Sequence, residues 1–142
     1  MTRLPDLRRR PFLRSAPLLL MLLLTTPAGA STTRVEASGS GGCRGVLRLA
    51  AAPLVTMRPI PFTLVLLNPA GQPTTTPELV CDLMMPAMPM PENRPRLVAG
   101  QDSYSGEAVF PMAGAWRLQV AVRRNGSEID RLSFDLGRVL LK

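Results

Sequence analysis

The sequence predicts an all-β fold, an immunoglobulin-like antiparallel β-sandwich of about seven strands. Three observations carry that prediction. Short apolar runs follow one another from Cys43 onward, separated by proline and glycine. No stretch holds a helical period of apolar residues long enough to make a helix. The segment Ala115–Arg123 alternates strictly, with Trp116, Leu118, Val120 and Val122 on one side and Arg117, Gln119, Ala121 and Arg123 on the other. That period of two buries one face of a strand and wets the other.

The chain opens with a basic stretch holding Arg3, Arg8, Arg9, Arg10 and Arg14. An apolar run from Ala16 to Leu24 follows, and then Thr25-Thr26-Pro27-Ala28-Gly29-Ala30. These are the three parts of an export signal, so residues 1–30 are expected to be removed by cleavage near Ala30, leaving a periplasmic or secreted protein. The run is under half of the ~20 residues a membrane-spanning helix needs, so no stable span is expected after cleavage. Arg9-Arg10-Pro11-Phe12-Leu13-Arg14 resembles a twin-arginine signal, while the very apolar Leu18–Leu24 suits the general secretory route; both remain open.

Cleavage removes five arginines and one aspartate, which lowers the formal charge from +7 by four to +3. The remaining basic residues are interspersed with acids, so the electrostatic footprint of a nucleic-acid binder is missing. The 112 residues left are enough for one modest core.

Residues 31–42, Ser-Thr-Thr-Arg-Val-Glu-Ala-Ser-Gly-Ser-Gly-Gly, read as a flexible leader, and the folded domain is expected over 43–142. The candidate strands are 46–51, 61–67, 78–85, 96–99, 104–110, 115–123 and 129–136. The last two form a hairpin across Asn125-Gly126. A two-residue loop alone would set Val120 opposite Arg131 and put the wrong face inside. Pairing Val120 with Leu132, Leu118 with Phe134 and Trp116 with Leu136 restores agreement, so a three-residue loop or a bulge is expected near Gly126.

Chemistry concentrates in Leu83-Met84-Met85-Pro86-Ala87-Met88-Pro89-Met90-Pro91, which holds four of the six methionines found after residue 30. Thioether sulfur is a soft, uncharged donor suited to Cu(I), and it has no proton to lose near neutral pH. In an extended chain Met88 and Met90 point the same way, about 6–7 Å apart, and Met85 joins them only if the loop bends. The candidate ligands are therefore Met85, Met88 and Met90, with Met84 or Cys81 as further donors. Two other readings stand beside this one: the methionines fill irregular space at one end of a sandwich, or they form a patch that docks a protein partner.

Cys43 and Cys81 are the only cysteines. An exported chain meets an oxidising compartment, and a Cys43–Cys81 disulfide would stabilise the fold by roughly 4 kcal/mol on the chain-entropy model. The rival reading makes Cys81 a metal ligand. The sequence has no histidine, which excludes Ser-His-Asp and Cys-His catalysis and imidazole zinc sites. Asp82, Glu92, Asp102 and Glu107 fit no paired-carboxylate arrangement, so no enzyme activity is expected.

Met85-Pro86-Ala87-Met88-Pro89-Met90, then Tyr104-Ser105-Gly106, then Phe110-Pro111-Met112-Ala113-Gly114-Ala115-Trp116 resemble, in order and spacing, the YtkA-like domain related to FixH proteins. The resemblance covers roughly residues 44–136. It implies an exported or membrane-tethered β-sandwich linked to copper handling or to assembly of copper-containing oxidases, with an envelope or oxidase-assembly protein as partner. Many such chains have a histidine after the methionine element, where this one has Pro91-Glu92-Asn93, and FixH-like proteins keep a spanning helix. Gly114 is expected to supply a positive φ and Trp116 a large buried ring, with Met112 packed beside them.

Overall fold

Alternating strands can bury their apolar faces only by pairing into sheets and stacking those sheets. A computed structural model describes residues 29–142; apart from Gly29 and Ala30, the expected export signal of residues 1–30 lies outside the described residues. Among the described residues nine strands are present: β1 (Thr33–Ser38), β2 (Arg44–Leu49), β3 (Ile60–Leu67), β4 (Pro73–Thr74), β5 (Glu78–Met84), β6 (Val98–Ala99), β7 (Tyr104–Ala108), β8 (Gly114–Arg124) and β9 (Ser127–Val139). One sheet runs β1-β2-β3-β7-β6, with β4 sharing the edge of β3 beyond β7; the other runs β5-β8-β9. Every pairing within the sheets is antiparallel. The chain crosses between sheets after β4, after β5 and after β7, so both layers depend on each other for their order in space.

The core lies between the layers. Leu47, Leu49, Ile60, Phe62, Leu64 and Leu66 enter it from the first sheet, and Cys81, Leu83, Trp116, Leu118, Val120, Leu132 and Phe134 from the second. Fully burying a side chain of this size contributes roughly 1.5–3 kcal/mol. The Tyr104 hydroxyl, buried on β7, donates to the Pro77 carbonyl at the entry to β5 and so ties the two layers together.

Two expectations about strand number are corrected. Residues 31–42, expected to be a flexible leader, contain β1, which pairs with β2 from Thr33↔Leu49 to Ser38↔Arg44 and lies against β9. Its alternation of half-buried Val35 and Ala37 with exposed Arg34 and Glu36 is a strand pattern that the surrounding serines and glycines obscured. Edge pairing needs only backbone groups, and Val35 and Ala37 pack against the core. The expected strand at 96–99 shrinks to the two exposed residues of β6, Val98 and Ala99, which pair with Ser105 and Tyr104 at the start of β7, while Leu97 packs against the core without joining the ladder.

The β8–β9 hairpin keeps Val120↔Leu132 and Leu118↔Phe134, as the burial pattern demands. Asn125 and Gly126, with φ of 50° and 79°, close a two-residue turn, and the register then shifts between Val122 and Arg123. Ile129 is the extra residue of that bulge. It carries the register correction expected near Gly126. A second shift sets Trp116 opposite Gly137 rather than Leu136, so the expected third pair moves by one residue.

Candidate functional site

The pairing registers place one set of strand ends together. Leu49 lies opposite Phe62, Ile60 opposite Ala108, Met84 opposite Arg117, and Gly114 opposite Val139. The β2–β3 connection (50–59), the start of the β5–β6 connection (85–97), the β7–β8 connection (109–113) and residues 140–142 therefore share one end of the sandwich. All six methionines of the described residues are there: Met57 on the first loop, Met84 at the end of β5, Met85, Met88 and Met90 on the second loop, and Met112 on the third.

Loop 85–97 bends at once. The Met88 amide donates to the Met85 carbonyl (3.4 Å), closing a turn over Pro86 and Ala87. Farther along, Asn93 holds the loop on both sides: its carbonyl accepts from Leu83 N–H (2.8 Å), and its side-chain Nδ2 donates to the Val109 carbonyl (3.2 Å). Met85 is buried. Its methyl group lies so close to Gly114 that a Cβ there would sit 2.6 Å from it, and Gly114 has a φ of 136°. The glycine therefore serves both a backbone conformation and the seat of Met85. Met88 is 45% exposed, while Met90 is half-buried against the core. Met84 is half-buried on the other face of β5, opposite Arg117.

Trp116 is buried as expected, with its ring edge against Phe110 at 5.4 Å between centroids. Its indole Nε1 donates to the Met112 carbonyl (2.9 Å). Met112, expected to pack beside Trp116, instead fixes only its backbone there and leaves its side chain 40% exposed. Met57, which the sequence reading did not single out, is 67% exposed with a φ of 56°, and its amide donates to the Phe110 carbonyl (2.9 Å). An isolated methionine between Thr56 and Arg58 carries no signal in the sequence; only its neighbourhood gives it meaning.

The cysteines do not form the expected disulfide: Cys43 and Cys81 are both free and buried. Cys43 sits in the turn before β2, where its amide donates to Asp130 Oδ2 (2.9 Å), and Cys81 lies within β5 opposite Val120. Burial pushes the Cys81 thiol up to about 12, so it stays protonated and is a poor metal ligand at neutral pH. Cys43 is also raised, first by burial and then by its hydrogen bond with Asp130.

Asp130 is a buried carboxylate. Burial raises its pKa, but donation from the Gly41, Cys43 and Arg131 amides at 3.0, 2.9 and 2.8 Å outweighs that, and the net shift is downward. It ties the β1–β2 turn to β9 at the opposite end from the methionines.

Among the described residues no three or more cysteine, aspartate or glutamate side chains gather as a metal site. Glu92 pairs with Arg94 at 2.8 Å, Asp82 stands within β5, Asp102 follows β6 and Glu107 lies on β7, so the acids stay dispersed. No helix of the described residues is long and apolar enough to cross a membrane.

No curated protein and no solved structure matches the chain. The YtkA-like family model matches residues 53–121, a span that includes Met57, the Met84–Met90 segment, Met112 and Trp116. The β-sandwich described above, with its methionine-bearing loops, thus carries a YtkA-like domain over residues 53–121.

Proposed function

We propose that this protein is an exported, non-catalytic β-sandwich module that binds or delivers Cu(I) in the cell envelope through methionine thioethers. One observation carries the reading: every methionine of the described residues lies at a single end of the fold, on or beside the loops gathered there. The donor set fits the metal. Thioethers are soft and neutral, they suit Cu(I) and discriminate against hard cations, and they hold their donor character at acid pH. Met88 and Met90 are the loop residues available for this role, because Met85 is engaged in packing and Cys81 is buried and protonated.

The test is a Cu(I) titration of the purified protein against a competing chromogenic chelator, beside a Met88→Leu/Met90→Leu variant. Binding by the wild type and its loss in the folded variant are the expected results. Failure of the wild type to compete with the chelator sinks the copper reading.

A second reading has its own support. Val109, Leu140 and Leu141 are exposed at the same end as Met57, Met88 and Met112, and an apolar surface of that kind also suits an envelope or oxidase-assembly protein as partner. On that reading the leucine substitutions leave metal behaviour untouched, because there was none.

A further inference from the structure

We infer that the soft donors form a set drawn from three loops, Met57, Met88 and Met112, and that Met85 is the packing residue beneath it; the inference rests on the copper reading above. The first support is the conformation of Met57. Left-handed φ is uncommon outside glycine and asparagine and is strained for an ordinary side chain. At φ 56° Met57 accepts that strain while its side chain stays 67% exposed, so packing offers no return for it. Leu54 and Thr56 earlier on the same loop are buried, and the chain turns outward at Met57, with Arg58 and Pro59 exposed after it. Strain held at an exposed, soft-donor side chain is the kind of outlier from which function is argued.

The second support is the shared platform. The Met57 amide donates to the Phe110 backbone carbonyl and the Met112 carbonyl accepts from the Trp116 indole, and the Phe110 and Trp116 rings are packed edge to face. Met112 stands two residues from Gly114, against which the Met85 methyl is seated, and Met85 in turn accepts from the Met88 amide. Three exposed thioethers thus rise from a base of buried Phe110, Trp116 and Met85, with half-buried Gly114 against the Met85 methyl. Each is a flexible arm with several rotatable bonds on a fixed backbone, which lets the sulfurs close on one ion without moving the fold. Met90, half-buried against the core, is the less accessible donor of the loop.

The experiment uses protein labelled with ¹³C at the methionine ε-methyls, titrated anaerobically with Cu(I) and followed by NMR. Chelator competition runs in parallel on Met57→Leu, Met112→Leu, Met88→Leu and Met85→Leu. The expected result is that the Met57, Met88 and Met112 methyls shift together and saturate at a single equivalent. Each of those three substitutions then weakens Cu(I) by about tenfold or more, and Met85→Leu leaves it within about threefold. Saturable Cu(I) binding in which the Met57 and Met112 methyls stay unmoved overturns the three-loop set and leaves the copper reading standing. Absence of any Cu(I) binding by the wild type overturns both.

Discussion

The two ends of this sandwich are built on opposite terms. At one end the strands are joined by tight turns that satisfy their own backbone: Gly39 N–H to Cys43 C=O, Gly71 N–H to Asn68 C=O, and Gly100 N–H to Ser103 C=O, each at 2.8 Å. Asn125-Gly126 closes the β8–β9 hairpin there, and Asp130 collects three amide donors. At the other end the loops are longer and rich in proline, with Pro53, Pro59, Pro86, Pro89, Pro91 and Pro111. Large apolar side chains on these loops and the adjoining terminus stay in solvent: Met57, Met88, Val109, Met112, Leu140 and Leu141. Stability alone explains the first end. It does not explain the second, where apolar surface is presented instead of buried, and loops carried on a rigid scaffold are where binding is usually placed.

The comparison can be broken most forcefully at the base of the methionine end. Trp116→Ala removes the ring on which Phe110 and the Met112 carbonyl rest, and the expected loss is about 3–5 kcal/mol in chemical denaturation. A loss under about 1 kcal/mol would mean that the loops hold their positions without this base.

The turn end is tested by Asp130→Asn, which keeps the shape but removes the charge that accepts from Gly41, Cys43 and Arg131. The expected cost is about 1–3 kcal/mol near neutral pH. The pH dependence follows from the downward shift of this carboxyl in the folded state. Its contribution is present above the unfolded carboxylate pKa of about 4 and is lost as pH falls through the lower folded value. Wild-type stability should therefore drop on acidification below about pH 4 more steeply than that of Asp130→Asn. Equal acid limbs in the two unfolding profiles would remove Asp130 from the account.

The smallest effect is the sharpest for the comparison. Met57→Asn replaces a strained residue by one that tolerates left-handed φ, so thermal unfolding should show a gain of about 0.5 kcal/mol where most substitutions lose stability. A gain means that Met57 is kept against stability. A loss means that its exposed side chain has a packing role after all.

Much of the sandwich was legible because burial writes itself into alternation. The β8 pattern and the inward set of β9 predicted three cross-strand pairs, of which Val120↔Leu132 and Leu118↔Phe134 stand, and a three-residue loop or a bulge, since the uncorrected two-residue register would have turned Arg131 inward. Gly114 was legible as a positive-φ position and Trp116 as a core ring. β1 was missed because leader-like serines and glycines flank a strand of only six residues, whose stability comes from pairing with β2 rather than from its own apolar content. At the candidate site, the methionine-rich segment stood out by concentration, but concentration did not say which sulfurs face water. Met85 goes inward beneath Gly114 and Met88 outward, although they are separated by a single turn.

By itself, then, the sequence determined the class of fold, the buried faces of its long strands and the donor chemistry at hand: thioethers in number, two cysteines and no histidine. These are local properties, set by side-chain type and a period of two. Only the tertiary structure decided that Met57 and Met112, 55 residues apart, flank the same buried aromatic pair, and that the two cysteines remain separate thiols. Proximity between distant segments is fixed by the order of strands in the two sheets, and that order depends on how all the apolar faces are buried at once.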